Sequence, residues 1–242
     1  MPRLLYTEIA PPASIAAHVD CFWTVAVDAS GPGTPHHMVF PDGCWTLSIG
    51  IRPTWYMRLR APATTPFVAP STADELIAGA RFRPGPPPAE VLDHARRMLR
   101  PGQSVQEIFF FLSEIIQSSI FHRDHRLDFM ISKLRVNEGR LAVAKVTEEL
   151  DIGERQLERL STQHLGLSPK TFARIVRLQS VLRCFISSPS GKLAGIATDF
   201  GYADQAHMAR DFTQFGGGIT PLQYRRSLAH VGFVLESAAG SR

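Results

Sequence analysis

Gly166-Leu167-Ser168-Pro169-Lys170-Thr171-Phe172-Ala173-Arg174 returns 52 residues later as Gly218-Ile219-Thr220-Pro221-Leu222-Gln223-Tyr224-Arg225-Arg226. The shared pattern is G-[LI]-[ST]-P-x-x-[FY]-x-R. Gly ends one helix, Ser or Thr caps the next, and Pro suits the first helical position. The aromatic then returns to the core, and Arg follows in the next turn.

Working upstream, each copy is preceded by two short helical stretches. Leu141–Leu150 and Glu154–Thr162 flank the turn Asp151-Ile152-Gly153; Lys192–Phe200 and Asp204–Phe215 flank Gly201-Tyr202-Ala203. A tight turn with an apolar residue in its middle lets two helices cross steeply, the helix-turn-helix geometry whose second helix enters a major groove. A helical solenoid without DNA would need more than two copies to cap itself. Charge agrees. Net charge is +4, yet residues 132–242 carry fifteen Lys/Arg against ten Asp/Glu, and the rest of the chain is close to neutral. A basic excess in one part suits a polyanionic partner.

The stretch Ile196-Ala197-Thr198-Asp199-Phe200-Gly201-Tyr202-Ala203-Asp204-Gln205-Ala206-His207-Met208-Ala209-Arg210-Asp211-Phe212, with Thr220-Pro221 and Tyr224-Arg225, resembles the signature of the AraC/XylS regulators. That pattern is roughly I-A-x-x-x-G-F-x-D-Q-S-x-F-x-R-x-F, then T-P-x-x-Y-R. Leu157-Glu158-Arg159 through Phe172 resembles the family's first motif, and Arg174-Ile175-Val176-Arg177-Leu178 the start of its linker helix. Ala206 and Met208 stand where Ser and Phe are usual, Asp151 where Gly is usual, and Gly216-Gly217-Gly218 lengthens the last turn by one residue. The resemblance implies a sequence-specific DNA-binding transcription regulator under the control of a small-molecule effector.

Base reading is expected from Glu154, Arg155, Gln156 and Arg159 on the first recognition helix, and from Asp204, Gln205, Ala206, His207 and Arg210 on the second. Arg matches guanine bidentately, Gln matches adenine, Glu accepts from cytosine, and Ala can meet a thymine methyl. Arg159 and Arg210 sit late in their helices, where phosphate or structural roles are favoured. Lys170, Arg174, Arg225 and Arg226 are expected on the DNA backbone.

The fold class expected is α+β. Residues 1–88 read as a small β-barrel or sandwich, cupin-like, acting as the sensor. Residues 89–129 read as a helical linker, and 130–242 as an all-α domain with two helix-turn-helix motifs. Period-two runs such as Trp45/Leu47/Ile49 and Trp55/Met57/Leu59 mark strands, and Gly31-Pro32-Gly33, Pro41-Asp42-Gly43 and Pro84–Pro88 mark turns. Phe22-Trp23, Pro41-Asp42-Gly43 and Gly79–Gly85 resemble the β-rich sensor domains of some AraC-type regulators. Ser104 and Glu107 form a capping box, opening a helix through Ile108, Leu112, Ile115, Ile116 and Ile120. Its apolar face is wide enough to suit a second subunit, and a homodimer is expected.

An anionic effector is one expectation, held by Arg81 and Arg83 on one strand face, Arg58 and Arg60 beside them, and Arg96 and Arg100 on the next helix. Solvated strand charges are the plainer reading. His36-His37 with Cys44 lacks metal-ligand spacing, and His122 and His125, read as three apart on one helix with Asp124 and Asp128, fit a solvated face. No metal, cofactor or enzymatic constellation is expected. Cys21, Cys44 and Cys184 make no disulfide framework, and no apolar run reaches a membrane span. Double-stranded DNA is the expected partner, RNA polymerase a further one the class admits, and the cytoplasm the expected place, on the bacterial nucleoid when bound. The competing reading is a ligand-binding sensor or interaction protein whose helices read no DNA.

Overall fold

A computed structural model describes residues 3–28, 36–70, 72, 74–188, 190–228 and 234–237. The turn expected at Gly31-Pro32-Gly33 lies outside these residues. The strands are β1 (Arg3–Ile9), β2 (Val19–Asp28), β3 (His36–Val39), β4 (Thr46–Arg52), β5 (Tyr56–Arg60), β6 (Phe67–Pro70) and β7 (Leu76–Phe82). Then come α1 (Ala89–Met98), α2 (Val105–Ser118), α3 (His125–Val136), α4 (Val143–Leu150), α5 (Glu154–Leu165), α6 (Pro169–Ser187), α7 (Leu193–Asp199), α8 (Gln205–Phe215), α9 (Pro221–Leu228) and a last strand, β8 (Val234–Ser237).

The main sheet has the order β5-β4-β7-β2-β1-β8, and β3 pairs with β6 separately. Alternation puts Phe22, Leu47, Ile49, Ala80 and Phe82 into one core with α1 and α2. Ile108, Leu112, Ile115 and Ile116 of α2 are buried there, and Phe109 stacks on Phe22 with ring centres 4.7 Å apart. Much of the wide apolar face of α2 is thus spent on the sheet; among the large apolar side chains of this helix, Phe110 stays exposed, at 61%. The capping box at Ser104 forms as expected, with Ser104 Oγ accepting from Glu107 N–H at 3.2 Å and Glu107 Oε2 accepting from Ser104 N–H at 2.8 Å.

Three expectations are corrected. The C-terminal part is not wholly helical, because β8 adds to the N-terminal sheet parallel to β1, Leu5 facing Val234. The expected border at residues 129/130 falls inside α3, whose Leu127, Met130, Ile131 and Leu134 belong to the core of the helical part. His122 is not on a helix: α3 begins at His125, capped by Asp124, which accepts Arg126 N–H at 2.9 Å.

Candidate nucleic-acid interface

Two helix pairs, α4–α5 and α7–α8, are joined by α6, whose 19 residues make it about 28 Å long. Residues 141–150 and 191–200 alternate between buried and exposed positions in the same order. Val146 and Thr147 in the first pair, Ile196 and Ala197 in the second, face the shared core. Each pair turns through a left-handed residue, Asp151 at φ 51° and Gly201 at φ 71°. Asp151 holds a conformation that costs a side chain something and glycine nothing. Ile152 and the buried Tyr202 then plug the turns.

Counted from the left-handed residue to the N-cap, the second turn is one residue longer than the first, so α5 starts after its N-cap Gly153 and α8 after Asp204. This aligns Glu154 with Gln205, Arg155 with Ala206, Gln156 with His207 and Arg159 with Arg210. Leu157, Ser161 and Leu165 bury one side of α5; Met208, Asp211, Phe212 and Phe215 bury that of α8. The caps of the repeated nine residues are as expected. Ser168 Oγ accepts Thr171 N–H at 3.1 Å, and Thr220 Oγ1 accepts Gln223 N–H at 3.3 Å.

The side chains expected to read DNA divide into two groups. Glu154, Arg155, Gln156 and Arg159 on α5, Gln205, Ala206 and Arg210 on α8, and Lys170 in the first turn of α6 are exposed. Among the described residues, none of their side chains takes part in a hydrogen bond or ion pair. The rest are engaged within the protein. Asp204 Oδ1 accepts His207 N–H at 2.6 Å, and His207 Nδ1 accepts from Ala203 N–H at 3.5 Å with its ring edge-on to Tyr202. Arg174 donates to Asp211 Oδ1 through Nε (3.1 Å) and Nη2 (2.7 Å), and to Gln214 Oε1 at 2.6 Å. Arg225 donates to Gly191 O at 2.7 Å with its guanidinium 5.6 Å from the Phe185 ring centre. Arg226 is exposed beside it at the end of α9.

The arginines expected at an effector site each make contacts within the protein. Arg81 pairs with Glu8 at 2.9 Å and Asp20 at 3.0 Å. Arg83 Nε donates to Ala16 O at 2.7 Å, and Arg60 lies 3.3 Å from the centre of the Phe67 ring, Arg58 5.9 Å from that of Tyr56. Arg96 pairs with Asp93, and Arg100 donates to Arg96 O and Leu99 O. The long-range acceptors, 61 and 73 positions away for Arg81, leave no trace in local sequence.

Sequence reading missed the junction between the halves. Arg135 of α3 reaches Asp20 Oδ1 at 3.2 Å and Cys44 Sγ at 3.3 Å. Burial would raise the Asp20 carboxyl pKa, but the guanidiniums of Arg135 and Arg81 outweigh it and hold it below the usual range. Asp42, deeper still, is raised by burial despite Arg81 and its bond from Cys44 N–H. Burial also pushes the Cys21 thiol up to about 12 and that of Cys44 well above its ordinary value. Among the described residues, no group of three His, Cys, Asp or Glu side chains could hold a metal ion.

Residues 146–227 match the family model of the helix-turn-helix domain, and residues 7–89 match that of a domain of unknown function (DUF6597). A relative from Haemophilus influenzae, described as an uncharacterized HTH-type transcriptional regulator, is 28% identical over 130 residues, 50% of this chain and 43% of that protein. The chain therefore spans less than half the length of that relative. A transcriptional regulator from Chromobacterium violaceum with an AraC-type DNA-binding domain is 25% identical, covering 43% of this chain and 91% of its own, at a TM-score of 0.38. ToxT from Vibrio cholerae O395 is 11% identical, covering 95% and 99%, at a TM-score of 0.44. Residues 146–227 are thus similar to the helix-turn-helix domain, in agreement with the resemblance of their motifs to the AraC/XylS regulators.

Proposed function

We propose that this protein is a sequence-specific DNA-binding transcription regulator of the AraC type, reading DNA with two helix-turn-helix units. The observation that carries the reading is the pair of exposed helix faces, on α5 and α8, presented by helix pairs of matching burial on one connecting helix. A connector of about 28 Å suits two adjacent major-groove segments, which repeat every ~34 Å along one face of the duplex. Base reading falls to Glu154, Arg155, Gln156, Gln205 and Ala206, with Arg159, Arg210 and Lys170 placed for phosphates. Asp204, His207, Arg174 and Arg225 support the helices that carry the readers.

The N-terminal sheet with α1 and α2 is proposed as a cupin-like effector domain, the helical part from α3 onward as the DNA reader, and a homodimer as the working form in the cytoplasm, with RNA polymerase as a further contact. Selection of bound duplexes from a random pool tests the central claim. An enriched site of two blocks about one turn apart is expected, and no enrichment would refute it. A thermal-shift series with anionic metabolites tests the effector, and equilibrium sedimentation the dimer.

A further inference from the structure

The core under the second reading helix is completed by the N-terminal domain. Phe40, 7% exposed, leaves the end of β3 and enters the core of the helical part. Its ring meets Phe212 of α8 at 5.5 Å and Tyr224 of α9 at 5.0 Å, both edge-on. Phe212 in turn packs on Phe185 of α6 at 5.9 Å. A side chain at Gly216, just after α8, would come within 3.1 Å of the Phe40 ring, so the turn closes directly on it.

The residues after Phe40 fasten this insertion. Pro41 O accepts from Gln179 Nε2 of α6 at 2.7 Å. Gly43, at φ +74°, lets the backbone lie against Phe172; a Cβ there would stand 2.7 Å from that ring. Asp42 Oδ1 accepts Cys44 N–H at 2.9 Å and holds the bend, and Arg135 holds Cys44 from α3. Among the described residues, no hydrogen bond or ring contact runs from this segment to α5. The ring contacts of Phe40 run to α8 and α9, so the seat of the second reading helix is built partly by the other domain.

We infer that Phe40 is a positioning residue for DNA reading by α8, so that the N-terminal domain is a structural part of the second reader and not of the first. This rests on the DNA-reading function proposed above. Reading helices must be held within a fraction of an ångström for base contacts to form. Loss of the Phe40 ring leaves a void under Phe212 and Tyr224 that frees α8 to shift.

The test uses the full chain as wild type, Phe40→Ala, Phe40→Leu and Arg155→Ala, each put through selection from a random duplex pool, with thermal melts run beside it. Arg155→Ala marks which block α5 reads. Phe40→Ala is expected to keep that block and to lose about tenfold discrimination at the other, a loss within the range of one good base contact. Phe40→Leu, which keeps apolar volume, recovers part of it. A folded Phe40→Ala protein that selects both blocks as the wild type does, or loses both equally, would overturn the inference. If the melt shows Phe40→Ala unfolded at the assay temperature, Phe40→Leu decides: weakening confined to the second block supports it, and both blocks at wild-type strength or weakened equally sink it. A wild-type chain that enriches no motif removes this inference together with the function it rests on.

Discussion

Arg174 illustrates how far a residue's role departs from what its type and position suggest. Read from sequence it is a phosphate ligand; in the fold it clamps α6 to α8 through Asp211, whose side chain is 3% exposed against 35% for Arg174. The guanidinium also lies 4.9 Å from the Phe215 ring centre, and Asp211 Oδ2 is buried without a partner. The two halves of the pair should therefore differ when removed. Arg174→Met strands a buried carboxylate, which costs about 3–5 kcal/mol. Asp211→Asn keeps the shape and an acceptor, and the partly exposed Arg174 can turn to water and Gln214, so it costs about 1 kcal/mol. Urea unfolding with a common m value measures both. The salt dependence of DNA affinity gives the second readout, since loss of a phosphate contact lowers the slope by about one. The clamp predicts an unchanged slope for Arg174→Met. Equal costs for the two variants, or a slope reduced by Arg174→Met but not by Asp211→Asn, would refute it.

Arg155→Ala should relax selectivity at one base position by about 1–3 kcal/mol with little effect on stability; equal weakening on every duplex would reassign it to phosphate. Lys170→Ala should do the reverse, weakening all duplexes alike and lowering the salt slope by about one. In thiol titration of the native protein, Cys184, half-buried, should react first, and Cys21 and Cys44 only on unfolding, because both are buried with raised pKa values; three fast thiols would contradict the packing of the junction. Asp20, with its pKa held down, contributes stability that is present above pH 3.8 and lost as pH falls below it. Asp20→Asn should flatten that acid limb while lowering stability at neutral pH, as followed by circular dichroism.

The helical half was legible because its signals are local. Ser168-Pro169 and Thr220-Pro221 announce helix starts within three residues of the bonds they make. Asp124, which caps α3 through Arg126 N–H, is a signal of the same kind. The sheet yielded its strands but not its closure. The period-two pattern of Leu47 and Ile49 says that one face is buried, not that α1 and α2 cover it. β8 was invisible because Val234–Ser237 is too short for a periodic pattern, and its partner lies at the other end of the chain. The partners of Arg81 were illegible for a related reason: identity and spacing place charges on a strand, while the carboxylates that meet Arg81 arrive from β1 and β2.

The two copies also divide what a motif can reveal. In the second, the matched positions are largely those that build the fold: Asp204 caps α8, Ile196, Ala197 and Phe212 fill the core, and Gly201 takes the left-handed turn. A match there establishes architecture and leaves only Gln205, Ala206 and Arg210 facing outward among the expected readers. The first copy fits the motif less closely, yet Glu154, Arg155, Gln156 and Arg159 are all exposed and uncommitted. Its helix N-terminus also lacks a side-chain cap. On the function proposed above, hydrogen-bonding chemistry for bases is concentrated on α5, whereas α8 carries fewer exposed polar groups among the expected readers and is seated partly by Phe40. Most of the base discrimination is therefore expected from the first unit. The second adds register and backbone contact, with a grip that depends on how the N-terminal domain holds it.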